Sequence, residues 1–205
     1  MVLKNILATG GAGFIGSSFV PYFIGVHKEY NLINLDKLTY AADLNNLKEV
    51  ENNERYKFVE CDVCDRDLIE KLFKKYDIGG AIHFAAESHF DNSILKPVAF
   101  IRTNINGTFT FLIDVAKNYW ADSPFNYKKK CVRCRFHHIS TDEVYSSFGG
   151  DGLFTEKTPY SPNSPYSTSK ASSDFLVRAY CHTYGLNVTT SNCSNNYCPN
   201  SIMKS

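Results

Sequence analysis

Hydrophobic positions along this chain alternate between two patterns. Short apolar runs at residues 4–9 and 31–35 have the length of buried strands, and segments of similar length at 56–60, 80–85, 135–139 and 186–192 carry the apolar, aromatic and β-branched residues of further strands. Between them, apolar residues recur at helical spacing over 19–24, 42–50, 66–75, 97–120 and Pro165–Tyr184. The longest of these segments, 97–120, carries Phe100, Ile101, Ile105, Phe109, Leu112, Ile113, Ala116 and Tyr119 at near-helical spacing. A polar stretch at 121–130 and a loop rich in Gly, Ser and Pro at 146–163 separate the later segments. Strand and helix in regular alternation predict an α/β fold with a doubly wound parallel sheet, and place any chemistry at the carboxyl ends of its strands.

The first strand runs directly into Thr9-Gly10-Gly11-Ala12-Gly13-Phe14-Ile15-Gly16 and then into an apolar helix. Gly11, Gly13 and Gly16 fit G-x-G-x-x-G, and Gly10, Gly13 and Gly16 fit the related G-x-x-G-x-x-G. Either spacing sets backbone N–H groups against a pyrophosphate at a helix N-terminus, the fingerprint of a Rossmann-type domain. The second strand ends in Asp36, twenty positions after Gly16, where a carboxylate accepts from a ribose 2′-hydroxyl and repels a 2′-phosphate. NAD is therefore the expected cofactor, with the adjacent Lys37 able to soften the discrimination against NADP.

A second constellation lies further along. Tyr166 and Lys170 are four apart on a predicted helix and so share a face, where an ammonium favours the ionised phenol. The phenol's ordinary pKa of about 10 has to fall toward neutrality before Tyr166 acts as a base. At the end of the fifth predicted strand, Ser140-Thr141-Asp142-Glu143 offers two further acid/base groups, which simple alcohol oxidation does not require. Taken singly, Asp142 and Glu143 also read as helix-start carboxylates and Tyr166 as a packed aromatic.

Composition changes the picture little. The 205 residues are 43 % hydrophobic, enough for one substantial core, and 22 Lys and Arg against 21 Asp and Glu give a formal charge of +1 that offers no case for nucleic acid. No run is long enough to span a membrane, and the opening Met1-Val2-Leu3-Lys4 lacks a signal-peptide pattern, so a cytoplasmic location is expected. Among seven cysteines, the pairs Cys61/Cys64 and Cys131/Cys134 have C-x-x-C spacing, but they stand seventy positions apart, outside zinc-ribbon spacing. No metal site is expected, and reduced thiols are favoured over a disulfide framework.

Several longer motifs now stand together: the glycine turn, Leu35-Asp36-Lys37-Leu38-Thr39-Tyr40-Ala41, Ala85-Ala86-Glu87-Ser88-His89, Ser140-Thr141-Asp142-Glu143-Val144-Tyr145, Tyr166-x-x-x-Lys170 and Asn192-Cys193-Ser194-Asn195-Asn196-Tyr197. Over essentially the whole chain they resemble the dTDP-glucose 4,6-dehydratase family of the extended short-chain dehydrogenase/reductase superfamily. The glycine turn and Tyr-x-x-x-Lys belong to the superfamily at large. Thr-Asp-Glu is the discriminating element, because the related sugar-nucleotide epimerases have no Asp-Glu pair in that turn.

The resemblance implies oxidation, elimination and reduction in one pocket. Tyr166, assisted by Lys170, takes the C4 hydroxyl proton while hydride passes to NAD; Glu143 removes the C5 proton; Asp142 protonates the departing C6 hydroxyl; hydride returns to C6. Thr141 hydrogen-bonds the C4 oxygen. It also implies that Gly10, Gly13, Phe14, Ile15, Gly16, Asp36, Lys37, Leu38, Thr39, Asp62, Val63, Phe84, Ala85, Ala86, Glu87, Ser88, Thr103, Tyr166, Lys170 and Asn196 line the NAD site. Ser88, Thr141 and Asn195 fall near the nucleotide sugar. A homodimer is implied through the 97–120 helix and the Tyr166 helix, which pair into a four-helix interface in the family.

The likeness has departures. Family members continue into a smaller lobe that holds the nucleotide; measured against them, residues 1–205 form an NAD-binding and catalytic domain from which that lobe is absent. Cys198 replaces the Gly usual after Asn-Asn-Tyr, Ser146 the Gly usual after Val-Tyr, and Phe90-Asp91-Asn92 stands where Val-Asp-Arg is common. Three readings stay open: a dehydratase of dTDP-glucose, a sugar-nucleotide 4-epimerase or related oxidoreductase, and a non-catalytic NAD-binding module that pairs with itself or a full-length relative.

Overall fold

Six strands lie side by side in one sheet: β1 (Lys4–Thr9), β2 (Tyr30–Asp36), β3 (Tyr56–Glu60), β4 (Ile78–His83), β5 (Arg135–Thr141) and β6 (Val188–Cys193), in the order β3-β2-β1-β4-β5-β6. The computed structural model describes residues 4–111, 117–120, 134–146 and 153–197. Every pairing is parallel. The order reverses between β1 and β4, the switch point at which doubly wound sheets open a crevice beyond their carboxyl ends. The fold is the Rossmann-type α/β architecture expected.

The helices are α1 (Phe14–Val26), α2 (Arg66–Tyr76), α3 (Phe90–Leu95), α4 (Pro97–Phe100), α5 (Lys117–Trp120) and α6 (Pro165–Tyr184). Successive residues of the central strands enter different cores, as the period of two requires. Leu7 and Ile33 pack with Ile69, Leu72 and Phe73 of α2, while Ala8 and Leu32 pack with Val20, Phe23 and Ile24 of α1. Phe73 and Phe136 are fully buried, and truncating either to Ala would cost about 3–5 kcal/mol.

Helix ends follow local chemistry. Asp65 caps α2 by accepting from the Leu68 amide, and Lys74 and Lys75 complement its C-terminal dipole. Ser164 and Ser167 form a capping box at the start of α6, Pro165 occupies its first turn, and Gly185 ends it at φ 63°. These caps fix α6 at the bounds expected from sequence.

Two helical expectations need correction. Instead of a helix at 42–50, a single 3₁₀ turn spans Leu44–Leu47, because the Asp43 side chain accepts from the Asn45 amide and the Asn-Asn pair favours turn geometry over a helix interior. The segment expected at 97–120 begins as α4 and widens into a π-helix over Ile101–Gly107. There Gly107 brings the backbone against Val63, whose Cγ2 would stand 2.6 Å from an added Cβ. Leu112, Ile113 and Ala116 lie outside the described residues, as does the polar stretch 121–130. The expectation of reduced thiols fails at Cys134, which is disulfide-bonded, while Cys61, Cys64, Cys181 and Cys193 are free.

Candidate active site

A cleft of about 340 Å³, within the size range of small-molecule sites, crosses the carboxyl ends of the strands at the switch point. The glycine turn forms one end. Gly10 has φ 70°, and a Cβ there would stand 2.6 Å from the Ala85 nitrogen; a Cβ on Gly16 would collide with the Gly10 carbonyl. Only glycine lets the turn wedge between β4 and its own chain, which leaves Gly13, Phe14, Ile15 and Gly16, the free N–H end of α1, on the cleft wall.

At the end of β2, Asp36 is buried and held from two sides. Its Oδ2 accepts from the Ala12 amide at 3.0 Å and its Oδ1 from the Leu38 amide at 2.9 Å. Each oxygen keeps a second lone pair for a hydroxyl in the cleft. Lys37 is drawn toward other partners: its Nζ lies 3.3 Å from Thr103 Oγ1, 3.8 Å from Glu87 Oε1 and 4.0 Å from Asp62 Oδ2. The charge expected to soften discrimination at Asp36 is therefore shared with two carboxylates.

The other end of the cleft is built by β5, the turn after it and α6. Thr141 ends β5 and caps the 3₁₀ turn Asp142–Tyr145, its Oγ1 accepting from the Glu143 amide at 3.3 Å. The cap turns Asp142 and Glu143 into the cleft, so their position at a helix start and their place in the site are one fact. Burial and the neighbouring Asp142 push the Glu143 carboxyl above its ordinary range. Ser146, which follows this turn, adopts φ 77° and ψ −161°, a region that is essentially glycine's. Glycine enters that region freely, so Ser146 is held there under strain.

Tyr166 and Lys170 reach the same wall from the first turns of α6. Lys170 is 4 % exposed and donates from Nζ to the Ile139 carbonyl at 2.6 Å. Its burial lowers it to about 8, with Asp174 opposing that fall. Burial pushes the Tyr166 phenol up to about 12; Glu143, Asp142 and Asp174 add to the rise and a hydrogen bond with Thr141 works against it. The fall toward neutrality expected of the phenol rests on the Lys170 ammonium together with a bound cationic nicotinamide; the protein's own groups alone leave the phenol raised by desolvation.

The cleft brings together nearly all the residues singled out from sequence: Thr39, Val63, Phe84, Ala85, Ala86, Glu87, Ser88, Thr103, Asn195 and Asn196 line it with the groups above. Leu38 and Asp62 do not. Leu38 packs against the α1 core, and Asp62 accepts from the Cys64 amide and from Arg102. Cys61, Ile139, Ser140, Cys193 and Ser194 also line the cleft, with no site role expected of them from the sequence. Asn104, also missed, is 1 % exposed and donates to the Glu87 carbonyl at 3.0 Å and Ser169 Oγ at 2.8 Å, tying the β4 loop to α6. Its only sequence signal was a polar residue within an apolar helix. Among the described residues, no group of three or more His, Cys, Asp or Glu side chains is placed to hold a metal ion.

Comparison with known proteins matches residues 7–204 to the GDP-mannose 4,6 dehydratase family model. The chain belongs to that family. It is 52 % identical over 196 residues to a dTDP-glucose 4,6-dehydratase of Haemophilus influenzae, covering 95 % of this chain and 56 % of that protein. Among solved structures, dTDP-glucose 4,6-dehydratase from Bacillus anthracis in complex with NAD is 43 % identical with a TM-score of 0.82, over 96 % of this chain and 56 % of that one. DesIV, the dTDP-glucose 4,6-dehydratase from Streptomyces venezuelae with NAD and TYD bound, is 42 % identical with a TM-score of 0.84, over 96 % and 57 %. The chain spans about half the length of the curated relatives it matches.

Proposed function

We propose that this member of the GDP-mannose 4,6 dehydratase family carries the NAD site and catalytic groups of a dTDP-glucose 4,6-dehydratase, which removes water across C5 and C6 to give the 4-keto-6-deoxy sugar. One observation carries the reading: Thr141, Asp142 and Glu143 meet Tyr166 and Lys170 on one wall of a cleft whose far end is the glycine turn and Asp36. The likeness to the Haemophilus and Bacillus proteins supports the same choice of substrate.

The cleft fits NAD by its own chemistry, since the turn is too tight for any Cβ at Gly10 or Gly16 and Asp36 is pre-oriented at the second strand's end. Gly13 to Gly16 hold the diphosphate, Asp36 the ribose, and Val63, Phe84 and Ala86 flank the bases. When bound, NAD supplies the hydride acceptor at the start and the donor at the end.

Tyr166 takes the C4 hydroxyl proton, with Thr141 bonding the same oxygen. At rest the phenol holds its proton; it enters the step as phenolate, its own proton passed to solvent and the charge stabilised by the Lys170 ammonium, and taking the C4 proton restores the phenol. Once C4 is a ketone, C5–H is acidic enough for Glu143, whose raised pKa makes it the stronger base, provided that it is ionised. Asp142 gives its proton to the C6 oxygen as water departs, and Glu143 returns the proton it took to C5 as C6 is reduced. Ser88 and Asn195 contact the sugar nucleotide. An epimerase needs the Tyr and Lys but neither carboxylate, so the Asp-Glu turn favours the dehydratase.

Two copies pair through the helical segment that begins at α4, where Val98, Ile101 and Phe109 are exposed apolar side chains, and through α6, where Phe175 is. No helix among the described residues is long and apolar enough to cross a membrane. A cytoplasmic location fits the four free thiols among the described residues, though the Cys134 disulfide stands against it.

The test is direct. The chain, extended by the C-terminal half of the Haemophilus relative, is incubated with dTDP-glucose and NAD and its product weighed by mass spectrometry. Loss of one water from the sugar is expected. An unchanged mass with inversion at C4 would assign the chain to the epimerases.

A further inference from the structure

Tyr166, Lys170 and Asp174 are spaced four apart on one face of α6 and all are buried, yet the chemistry above uses only the first two. Asp174 is 6 % exposed, where a carboxylate persists only if bonded and balanced by charge. Its Oδ2 accepts from Ser140 Oγ at 2.7 Å and from the Tyr160 hydroxyl at 3.0 Å. Its Oδ1 lies 3.1 Å from His138 Nε2. The bonds reach further, since Asn192 Nδ2 donates to the Tyr160 hydroxyl at 3.3 Å and to the Thr141 carbonyl at 3.2 Å. One carboxylate thus ties α6 to the end of β5, to the loop before α6 and, through Tyr160, to β6, directly behind the Thr141–Glu143 turn.

That charge needs a counter-charge. His138 does not provide it, because burial pushes its imidazole down to about 4 and leaves it neutral at pH 7. Lys170, one turn earlier on the same face and equally buried, is the cation whose charge Asp174 supports.

We propose that Asp174 is a positioning residue whose buried carboxylate keeps the Lys170 ammonium protonated beneath the cleft while anchoring the Ser140 end of β5. Its consequence for turnover rests on the catalytic reading of Tyr166 and Lys170; the coupling of the two charges does not. The groups that face Lys170 are Tyr166 and Asp174 on its own helix, His83 on β4, His138 on β5 and Cys193 on β6. Tyr145 and Tyr160 also face Asp174. Burial holds both imidazoles neutral near pH 7 and pushes the phenols and the Cys193 thiol upward, so that they stay protonated. Asp174 is left as the charge that opposes the desolvation of Lys170.

The test follows the Lys170 side chain by NMR in the 205-residue protein labelled with ¹³C-lysine, its ¹³Cε signal assigned by its loss in Lys170→Met. The unmutated midpoint should lie at about 8. Asp174→Asn should lower it by about 1 pH unit or more, and Asp174→Glu should restore it. Ser140→Ala removes a hydrogen bond but no charge, and should leave the midpoint in place. A midpoint unmoved by Asp174→Asn, or moved as far by Ser140→Ala, overturns the proposal. Should Asp174→Asn fail to fold, the Asp174 carboxyl is titrated in Lys170→Met through its ¹³Cγ signal. The proposal requires its midpoint to rise when the ammonium is removed, and a midpoint no higher than in the unmutated protein contradicts it. No substrate enters these measurements, so failure of the dehydratase reading and failure of this coupling are distinguishable.

Discussion

An ammonium buried as deeply as that of Lys170 destabilises the fold whenever it carries its proton, since its desolvation exceeds what Asp174 and the Ile139 carbonyl return. Its pKa falls from 10.5 to about 8 on folding, so between those values the unfolded chain holds more protons and stability rises with pH. Lys170→Met should therefore flatten the rise in stability between pH 8 and 10.5. Denaturant melts across that range check it, and an unchanged slope would count against the burial described. Tyr166 acts oppositely: raised from 10 to about 12, it contributes stability below pH 10 that is lost as pH climbs through 12. At the other end of the cleft, Asp36→Ala should weaken NAD binding and erode the preference over NADP, read by calorimetry. Equal or tighter binding of NADP by the unmutated protein would reject the NAD assignment.

Among the elements, strain and caps decide where changes register. Ser146 occupies backbone space that glycine alone enters freely, so Ser146→Gly should stabilise by about 1 kcal/mol despite losing its bond from Asn163. Gly185→Ala, at φ 63°, should cost about 1 kcal/mol by blocking the C-cap of α6. Thermal unfolding of the two variants should move in opposite directions. The sequence showed α6 to the residue because its signals are local: Ser164, Pro165 and Gly185 each act within a turn. β4 was displaced to Ile78–His83 from the expected 80–85, because the chain beyond His83 must leave the sheet to form the cleft wall, a tertiary demand with no local mark. The 42–50 helix failed on side chains that compete for the backbone, Asp43 and the asparagines after it. Asn104 and Asp174 escaped notice for another reason. A lone polar residue in an amphipathic helix carries no sign of what tertiary contact will bury it.

On the scale of the whole molecule, the sheet's switch point brings three separated stretches into one cleft: the glycine turn, the Thr141–Glu143 turn and the start of α6. Motif spacing made the glycine turn and the Tyr-Lys pair legible as parts of that cleft, but not the desolvation that holds Tyr166 and Lys170 away from their ordinary pKa values. The exposed apolar residues of α4 and α6 predict self-association. Val98→Asp, at a side chain 77 % exposed, should shift a dimer toward monomer in sedimentation without altering the fold. An unmutated protein that stays monomeric at high concentration would remove that interface.

The central claim is that one wall of the cleft runs two chemistries, hydride transfer through Tyr166 and elimination through Asp142 and Glu143. Its most direct test is a single turnover of Glu143→Gln, in the chain extended by a relative's C-terminal half, with dTDP-glucose and bound NAD, following NADH absorbance and product together. NADH should form while water loss slows by about 10² to 10⁴. Product appearing at the unmutated rate would contradict the role of Glu143, and with it the dehydratase reading of this cleft.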